Sequence, residues 1–326
     1  MAIEKMKKIG LLTSGGDAPG MNCAIRAVVR TALGYGFEVI GIKRGFKGLY
    51  ENDVMEMNAR SVSGIINRGG TILRTIRFPE FKEKDIQQQC YENLKKNSID
   101  ALVVIGGDGS SRGAFSFHSN FQVPVCVIPA SIDNDVYGTD FTIGFDTAVN
   151  TAVEAIDRIR DTATSHERIF VVEVMGRHHG FLAIEVAIAS GAEIVVIPER
   201  PLTIEKIVEI LEIDKIRGKI SSLIVLAEGA GRAHELARRI NEEIGGAEAR
   251  YSVLGYIQRG GVPTYQTRVL ATMFGNEAVK GLRDGLTCFM VGISGTELCR
   301  VHLKDVVSGT KTISEEKLKI IEAMGI

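Results

Sequence analysis

Short β-rich runs alternate with helix-period segments from one end of the chain to the other, and this alternation restricts the architecture more than any other feature. Residues 8–13 (KIGLLT), 37–42, 101–105 (ALVVI) and 124–129 (PVCVIP) read as strands in the first part. Between them, Met21, Ile25, Val28 and Val29 recur at the spacing of one helix face, and 85–97 reads as a polar helix. A long helical pattern over 145–165 follows, with Ala148, Ala152, Ala155, Ile156 and Ile159 on one stripe. Strands are then expected at 168–174, 193–197, 222–227, 251–257 and 288–293, and helices at 182–189, 204–216, 234–244, 267–282 and from 314. Alternation at this spacing means parallel sheets covered by helices on both faces, an α/β fold. The long helix after Gly144 is a reasonable place for a change of domain.

In such sheets ligands bind beyond the carboxyl ends of the strands. Of the 36 glycines, most stand at the ends of apolar runs, where backbone must turn tightly or approach a ligand closely. The segment Thr13–Gly20 (TSGGDAPG) joins a strand to a helix and offers backbone amides and a helix N-terminus to a polyphosphate. It also reads as a tight turn with Pro19 opening the helix, and it is neither a Walker A motif nor G-x-G-x-x-G. Gly106-Gly107-Asp108-Gly109-Ser110 closes a strongly apolar strand. There, phosphates can lie against the glycines while one carboxylate holds a magnesium ion. A helix cap would need fewer glycines. Ser131-Ile132-Asp133-Asn134-Asp135 offers a general base and a metal-orienting partner, or simply an Asx turn.

The cationic residues complete the pattern. Arg77, Arg168, Arg177, Arg250 and Arg259 sit next to turns or at strand ends, where the guanidinium fork suits phosphate oxygens. Any one of them alone is as readily a solvated surface residue. His178 and His179 are adjacent, so their side chains diverge, and no third ligand is nearby; they are not read as a metal pair. The formal net charge of −1 over 326 residues excludes a strongly basic nucleic-acid or membrane-surface protein. No apolar run reaches membrane-spanning length, and the start of the chain lacks the apolar core of a signal peptide. Five scattered cysteines without a CxxC pair read as reduced packing residues, and a cytoplasmic location is expected.

Together, LTSGGDAPGMN (12–22), INRGGT (66–71), RFPEF (77–81), ALVVIGGDGS (101–110), SIDND (131–135), GTDFTIGFDTA (138–148), VVEVMGR (171–177) and LGYIQRGG (254–261) resemble the ATP-dependent 6-phosphofructokinases of bacterial type, over essentially the whole chain. GGDG alone also occurs in NAD kinases and lipid kinases, which lack the other segments. The resemblance implies two similar three-layer α/β/α domains with mostly parallel sheets. One is an ATP-binding domain of 1–144 plus about 257–307, and the other a sugar-phosphate domain of 145–256 plus about 308–326. It implies Mg2+-dependent transfer from ATP to the 1-hydroxyl of fructose 6-phosphate, the committed step of glycolysis. A homotetramer with shared active sites and regulation by ADP and phosphoenolpyruvate are also implied.

Residue by residue, the resemblance assigns ATP to Gly16, Arg77, Phe78, Gly107, Asp108, Gly109 and Ser110, with Asp108 holding the metal. Asp133 is the implied base, and Arg177, alongside Arg77, stabilises the transferring phosphoryl group. Sugar contacts fall on Ser131, Ile132, Met175, Gly176 and Glu228. Tyr256 and Arg259 fall at the 6-phosphate, and Arg168 and Arg250 reach across from a neighbouring subunit. Arg26, Arg30, Arg160, Glu193, Arg217 and Lys219 match the effector site.

Three departures stand out. Tyr256 replaces the family's usual histidine, so the position cannot become cationic near neutral pH. Ala130-Ser131 replaces Gly-Thr but keeps the hydroxyl. An effector arginine expected near Ala59 is absent, although Arg60 is adjacent. Pyrophosphate-using relatives carry an Asp where this chain has Gly109 and a Lys where it has Ala130, and both positions here point to ATP. The competing readings are a pyrophosphate-dependent enzyme and a nucleotide-sensing regulatory subunit that keeps the fold without the chemistry.

Overall fold

A computed structural model describes residues 6–246 and 248–324. Along the chain run β1 (Lys8–Ser14), α1 (Met21–Gly34), β2 (Glu38–Ile42), α2 (Gly45–Glu51), β3 (Val54–Met57), a 3-10 turn (Pro79–Lys82), α3 (Lys84–Lys96), β4 (Ala101–Gly106), α4 (Asp108–Phe121), β5 (Val125–Ser131) and β6 (Ile143–Gly144). Then come α5 (Phe145–Ser165), β7 (Ile169–Val174), α6 (Phe181–Ser190), β8 (Ile194–Val196), α7 (Ile204–Ile216), β9 (Ser222–Ala227), α8 (Ala233–Glu243) and β10 (Ala249–Val253). A second 3-10 turn (Gly255–Gln258), α9 (Tyr265–Arg283), β11 (Cys288–Ser294), β12 (Glu297–His302), α10 (Leu303–Ser308) and α11 (Glu315–Met324) complete the path.

The chain divides into two compact units, residues 1–147 with 259–311 and residues 148–258 with 312–326. The first is built on an eight-stranded sheet in the order β12-β11-β5-β4-β1-β2-β3, with β6 paired to β5. Its centre is parallel, and only β2–β3 and β11–β12 are antiparallel. The second has four parallel strands in the order β10-β7-β9-β8.

The central strands form where the sequence is apolar on both faces, as a sheet covered on both sides requires. Every residue of β4 is buried, as are all but the last of β5 and all of β9. The register of β1 is further fixed by Gly10, where a Cβ would lie 2.7 Å from Leu102 Cδ2. One core gathers around Phe46, Phe81 and Phe117, with the first two rings stacked at 3.9 Å. The other packs α7 and α8 on β8 and β9 through Ile204, Ile207, Leu211, Ala237 and Ile240.

Where the sequence pointed to a strand over 251–257, the ladder stops at Val253. Leu254 donates its N–H to Glu173 O at 3.0 Å, and Gly255, with φ of 53°, then turns the chain into a 3-10 turn. Among the described residues, no helix is long and apolar enough to cross a membrane.

All five cysteines are free. Burial raises the thiols of Cys23 and Cys288 to about 11 and that of Cys90 to about 12, from an ordinary 9.0, and pushes Cys126 well above 9.0 too. Because these folded values are raised, their stabilisation is complete below pH 9.0. It is lost as pH climbs towards 11–12, where the unfolded chain ionises first. Native alkylation at about pH 8 is therefore expected to label Cys299 first and to leave the other four untouched. Labelling of Cys90 or Cys126 at the rate of a free thiol would contradict this packing.

Candidate active site

The site in the first unit follows from strand order. Because β1, β4 and β5 are adjacent and parallel, with Ser14 opposite Gly106 and Gly106 opposite Pro129, their carboxyl ends lie side by side. The segments TSGGD, GGDGS and SIDND are therefore neighbours. Close approach accounts for the glycine at Gly106, whose Cβ would lie 2.5 Å from both Ser14 O and Ser110 Oγ. A Cβ at Gly107 would stand 3.6 Å from Ala130 O and from Ser131 Cβ, so the second and third loops touch.

Asp108 is the first residue of α4 rather than its cap, the cap being Gly107. Its Oδ2 accepts from Arg112 Nε at 2.8 Å, with side chains 35% and 55% exposed. So exposed a pair contributes only about 0–1 kcal/mol, too little to bar a ligand from the carboxylate. Ser110 is buried, and its N–H donates to Gly107 O at 3.0 Å. Gly109 is different: it lies outside the left-handed region, and a Cβ there would meet nothing within 4 Å. Neither packing nor backbone shape explains its missing side chain.

Asp133 is 4% exposed, and its N–H donates to Ser131 Oγ at 3.1 Å. Ser131 Oγ in turn donates to Asp135 Oδ1 at 3.3 Å. The loop is held by Asn134, which adopts φ of 52° and uses both ends of its amide. It donates to Asp140 O at 3.0 Å and accepts from Thr142 N at 3.0 Å. Thr142 Oγ1 also donates to Ser131 O at 2.5 Å. Ile132 is buried beneath the turn.

The strip carrying Arg77 and Phe78 is tied to the first loop by threonines. Thr75 Oγ1 donates to Gly15 O at 2.9 Å, and Thr13 Oγ1 donates to Arg74 O at 2.8 Å. Arg77 is exposed, while Phe78 is half-buried against Tyr50 at 5.9 Å. Buried Asn22 holds the preceding turn, donating to Arg68 O at 3.0 Å and Gly69 O at 3.2 Å and accepting from Ile72 N at 2.8 Å. Asn22 and Asn134 both lie in the quoted motifs, but their anchoring was not legible there, because a side-chain amide carries no signature of its partners.

The second unit presents its own group. Val174 pairs with Ala227, so Met175-Gly176-Arg177 and Glu228 follow neighbouring strand ends. Arg177 has φ of 53°, and its N–H donates to Glu228 Oε1 at 2.9 Å. A Cβ at Gly229 would lie 2.0 Å from Arg177 O, so the two turns interlock. Arg168 and Arg250 stand at the opposite, amino end of these strands. Both donate to Glu248 Oε1, Arg168 at 2.8 Å. The guanidinium of Arg168 holds the Glu248 carboxyl below its usual range, with Arg250 adding to the effect. Tyr256 is 82% exposed on the 3-10 turn.

Of the residues expected at an effector site, Glu193, Lys219 and Arg217 meet at the end of α7. Lys219 Nζ lies 3.3 Å from Glu193 and 3.6 Å from Asp214. Glu193 and Arg217 line a cavity of about 380 Å3 between α7, β8 and α11. Arg160 Nη2 donates to Ser190 O at 2.7 Å and Gly191 O at 3.0 Å. Arg26 and Arg30 lie one turn apart on α1 in the first unit, and Arg60 is exposed with its N–H on Asn58 Oδ1 at 2.9 Å.

Three glycine-rich or acidic loops side by side on one edge of a parallel sheet define an α/β phosphotransferase. The family model described as Phosphofructokinase matches residues 8–282, and the chain belongs to this family. It is 50% identical over 323 residues to the ATP-dependent 6-phosphofructokinase 1 of Thermus thermophilus, covering 98% of this chain and 100% of that one. It is 54% identical over 296 residues to the ATP-dependent 6-phosphofructokinase of a Sulfurihydrogenibium species, covering 90% and 91%. Among solved structures, phosphofructokinase from Saccharomyces cerevisiae superposes with a TM-score of 0.88 at 35% identity over 98% of this chain, which spans 48% of the yeast chain.

The Asn134 amide is the anchor whose loss is most readily read. Asn134→Ala removes a donor and an acceptor and leaves a Cβ-bearing residue without side-chain support in a left-handed conformation. The expected cost is about 1–3 kcal/mol in urea unfolding. An unchanged midpoint would show that the loop holds without it.

Proposed function

We propose that this chain phosphorylates fructose 6-phosphate at its 1-hydroxyl with ATP, giving fructose 1,6-bisphosphate and ADP. The observation that carries the reading is the adjacency of Asp108 and Asp133 beyond paired strands β4 and β5, a metal-type carboxylate beside a buried one. Phosphoryl transfer asks a protein mainly to position reactants and offset charge, with one group to take the hydroxyl proton. In this reading Asp133 accepts the 1-hydroxyl proton as that oxygen attacks the γ-phosphorus. Arg177 and Arg77 stabilise the charge spread over the transferring group. Gly16, Phe78 and Gly107–Ser110 receive the nucleotide. Ser131, Ile132, Met175, Gly176 and Glu228 orient the sugar, with Tyr256 and Arg259 at its 6-phosphate.

Mg2+ fits the donor set. It typically takes one or two carboxylates and completes its shell with phosphate oxygens and water. Among the described residues no cluster of three His, Cys, Asp or Glu exists to hold a metal alone. Asp108 would hold the ion through a hard oxygen at the nucleotide loop, and the bound ion would offset the phosphates' charge. The open space beside Gly109 supports ATP as donor, because a side chain there is excluded by nothing in the protein and its absence leaves room for the nucleotide.

The two units are read as an ATP-binding domain and a sugar-phosphate domain in a cytoplasmic enzyme. Placement of Arg168 and Arg250 at the far end of the β7–β10 edge from Arg177 supports the homotetramer. They cannot join Arg177 at one strand end within their unit, and they suit a site completed by a neighbour.

Replacing Asp133 with Ala tests the base. The expected fall in kcat is roughly 10²–10⁴-fold with fructose 6-phosphate and ATP. A kcat near that of the wild type would remove Asp133 from the role. Regulation is read from the Glu193–Lys219–Arg217 cluster together with Arg26, Arg30 and Arg160. ADP is expected to shift the fructose 6-phosphate saturation curve to lower concentration and phosphoenolpyruvate to higher. Superimposable curves with and without either effector would overturn the effector reading.

A further inference from the structure

We propose that Gly16 is a positioning residue for the phosphosugar, because its missing side chain is the space in which the Arg259 guanidinium rests. The inference rests on the reading that Arg259 binds the 6-phosphate. It extends that reading to a glycine otherwise assigned to the nucleotide.

Three observations carry it. A Cβ at Gly16 would lie 2.3 Å from Arg259 Nη1, 3.4 Å from its Cζ and 3.6 Å from its Nη2. The three nearest atoms are thus all guanidinium, and the closest distance is shorter than any real Cβ contact. Second, Gly16 lies outside the left-handed region, so its backbone accepts alanine and the side chain it lacks matters only for what it would displace. Third, Arg259 is half-buried, makes no ion pair or hydrogen bond among the described residues, and its Nε is buried without a partner. A guanidinium so placed is a cation without a counter-charge, held by shape.

The same segment is seated a second time. A Cβ at Gly69 would lie 2.5 Å from Gly261 O, so the INRGGT turn that Asn22 fixes supports the chain two residues beyond Arg259. Alanine at 16 would push the flexible end of Arg259 off its seat without touching backbone. The cost therefore falls on the ligand of Arg259. ATP, approaching the loop through backbone amides, is affected less. Donor and acceptor sites thereby share one turn.

The test measures kcat and both KM values for the wild type, Gly16→Ala, Arg259→Ala and the double variant, with fructose 6-phosphate affinity measured calorimetrically without ATP. Gly16→Ala is expected to raise the fructose 6-phosphate KM and Kd about tenfold, a larger change than any in ATP KM. In the Arg259→Ala background, Gly16→Ala is expected to add less than about twofold. A rise in ATP KM alone, an unchanged fructose 6-phosphate Kd, or effects that multiply in the double variant would each overturn the proposal. If Arg259→Ala itself leaves fructose 6-phosphate affinity unchanged, the phosphosugar role of Arg259 falls and this inference with it. If Arg259→Ala weakens it and Gly16→Ala does not, only the seating role falls.

Discussion

In the first unit, everything in the candidate site depends on the in-register parallel pairing of β1, β4 and β5. The strands are buried on both faces, with Leu11, Leu12, Val103, Val104, Val127 and Ile128 all at 0% exposure. Each such side chain contributes about 1.5–3 kcal/mol by leaving water, and a strand that slid would have to give up several of them. Apolarity alone does not choose the register, since a strand apolar on both faces tolerates a slip better than an alternating one. Steric contacts choose it. Gly10 fits against Leu102, and Gly106 passes Ser14 O at a distance that no larger residue allows. The glycines that let the sheet close are therefore also those that place the loop ends together.

Beyond the strand ends the sheet no longer supplies hydrogen bonds, and side chains take over. Asn22, Thr13, Thr75, Asn134 and Thr142 each bond to backbone in a loop remote in sequence or across a turn. Such bonds hold the loops without fixing a ladder, and the residues that do this are themselves poor candidates for chemistry. The division is clear in SIDND. Asn134 is spent on the scaffold, Asp135 is engaged by Ser131, and Asp133 is buried in the same turn, beside the GGDGS loop.

Much of this was legible in the sequence because the strongest patterns belong to buried parallel strands and long helices. The helix over 145–165 and the strand over 222–227 have the observed limits. The antiparallel edge strands β3 and β12 were not read, since VMEM and ELCRVH are short, and their alternation is too weak to separate from loop. Helix α4 was obscured by its glycine- and serine-rich start, DGSSRG, whose residues favour turns until tertiary packing overrides them. The strand expected through Ile257 failed because nothing in the letters YSVLGYIQ says that Gly255 adopts positive φ. Motif residues were found by type and spacing. Their anchors were not, because an asparagine's partners lie tens of residues away.

The four-stranded unit works by a different economy of charge. Its carboxyl end carries Arg177, with the Glu228 carboxylate accepting from the Arg177 backbone N–H, so the acid shapes the turn. At the amino end a single carboxylate, Glu248, serves two arginines. Two guanidiniums against one carboxylate leave a net positive charge, and Arg168, with Arg250 adding to it, lowers the Glu248 carboxyl's proton affinity. Glu248 therefore steadies the forks of Arg168 and Arg250 without cancelling their charge.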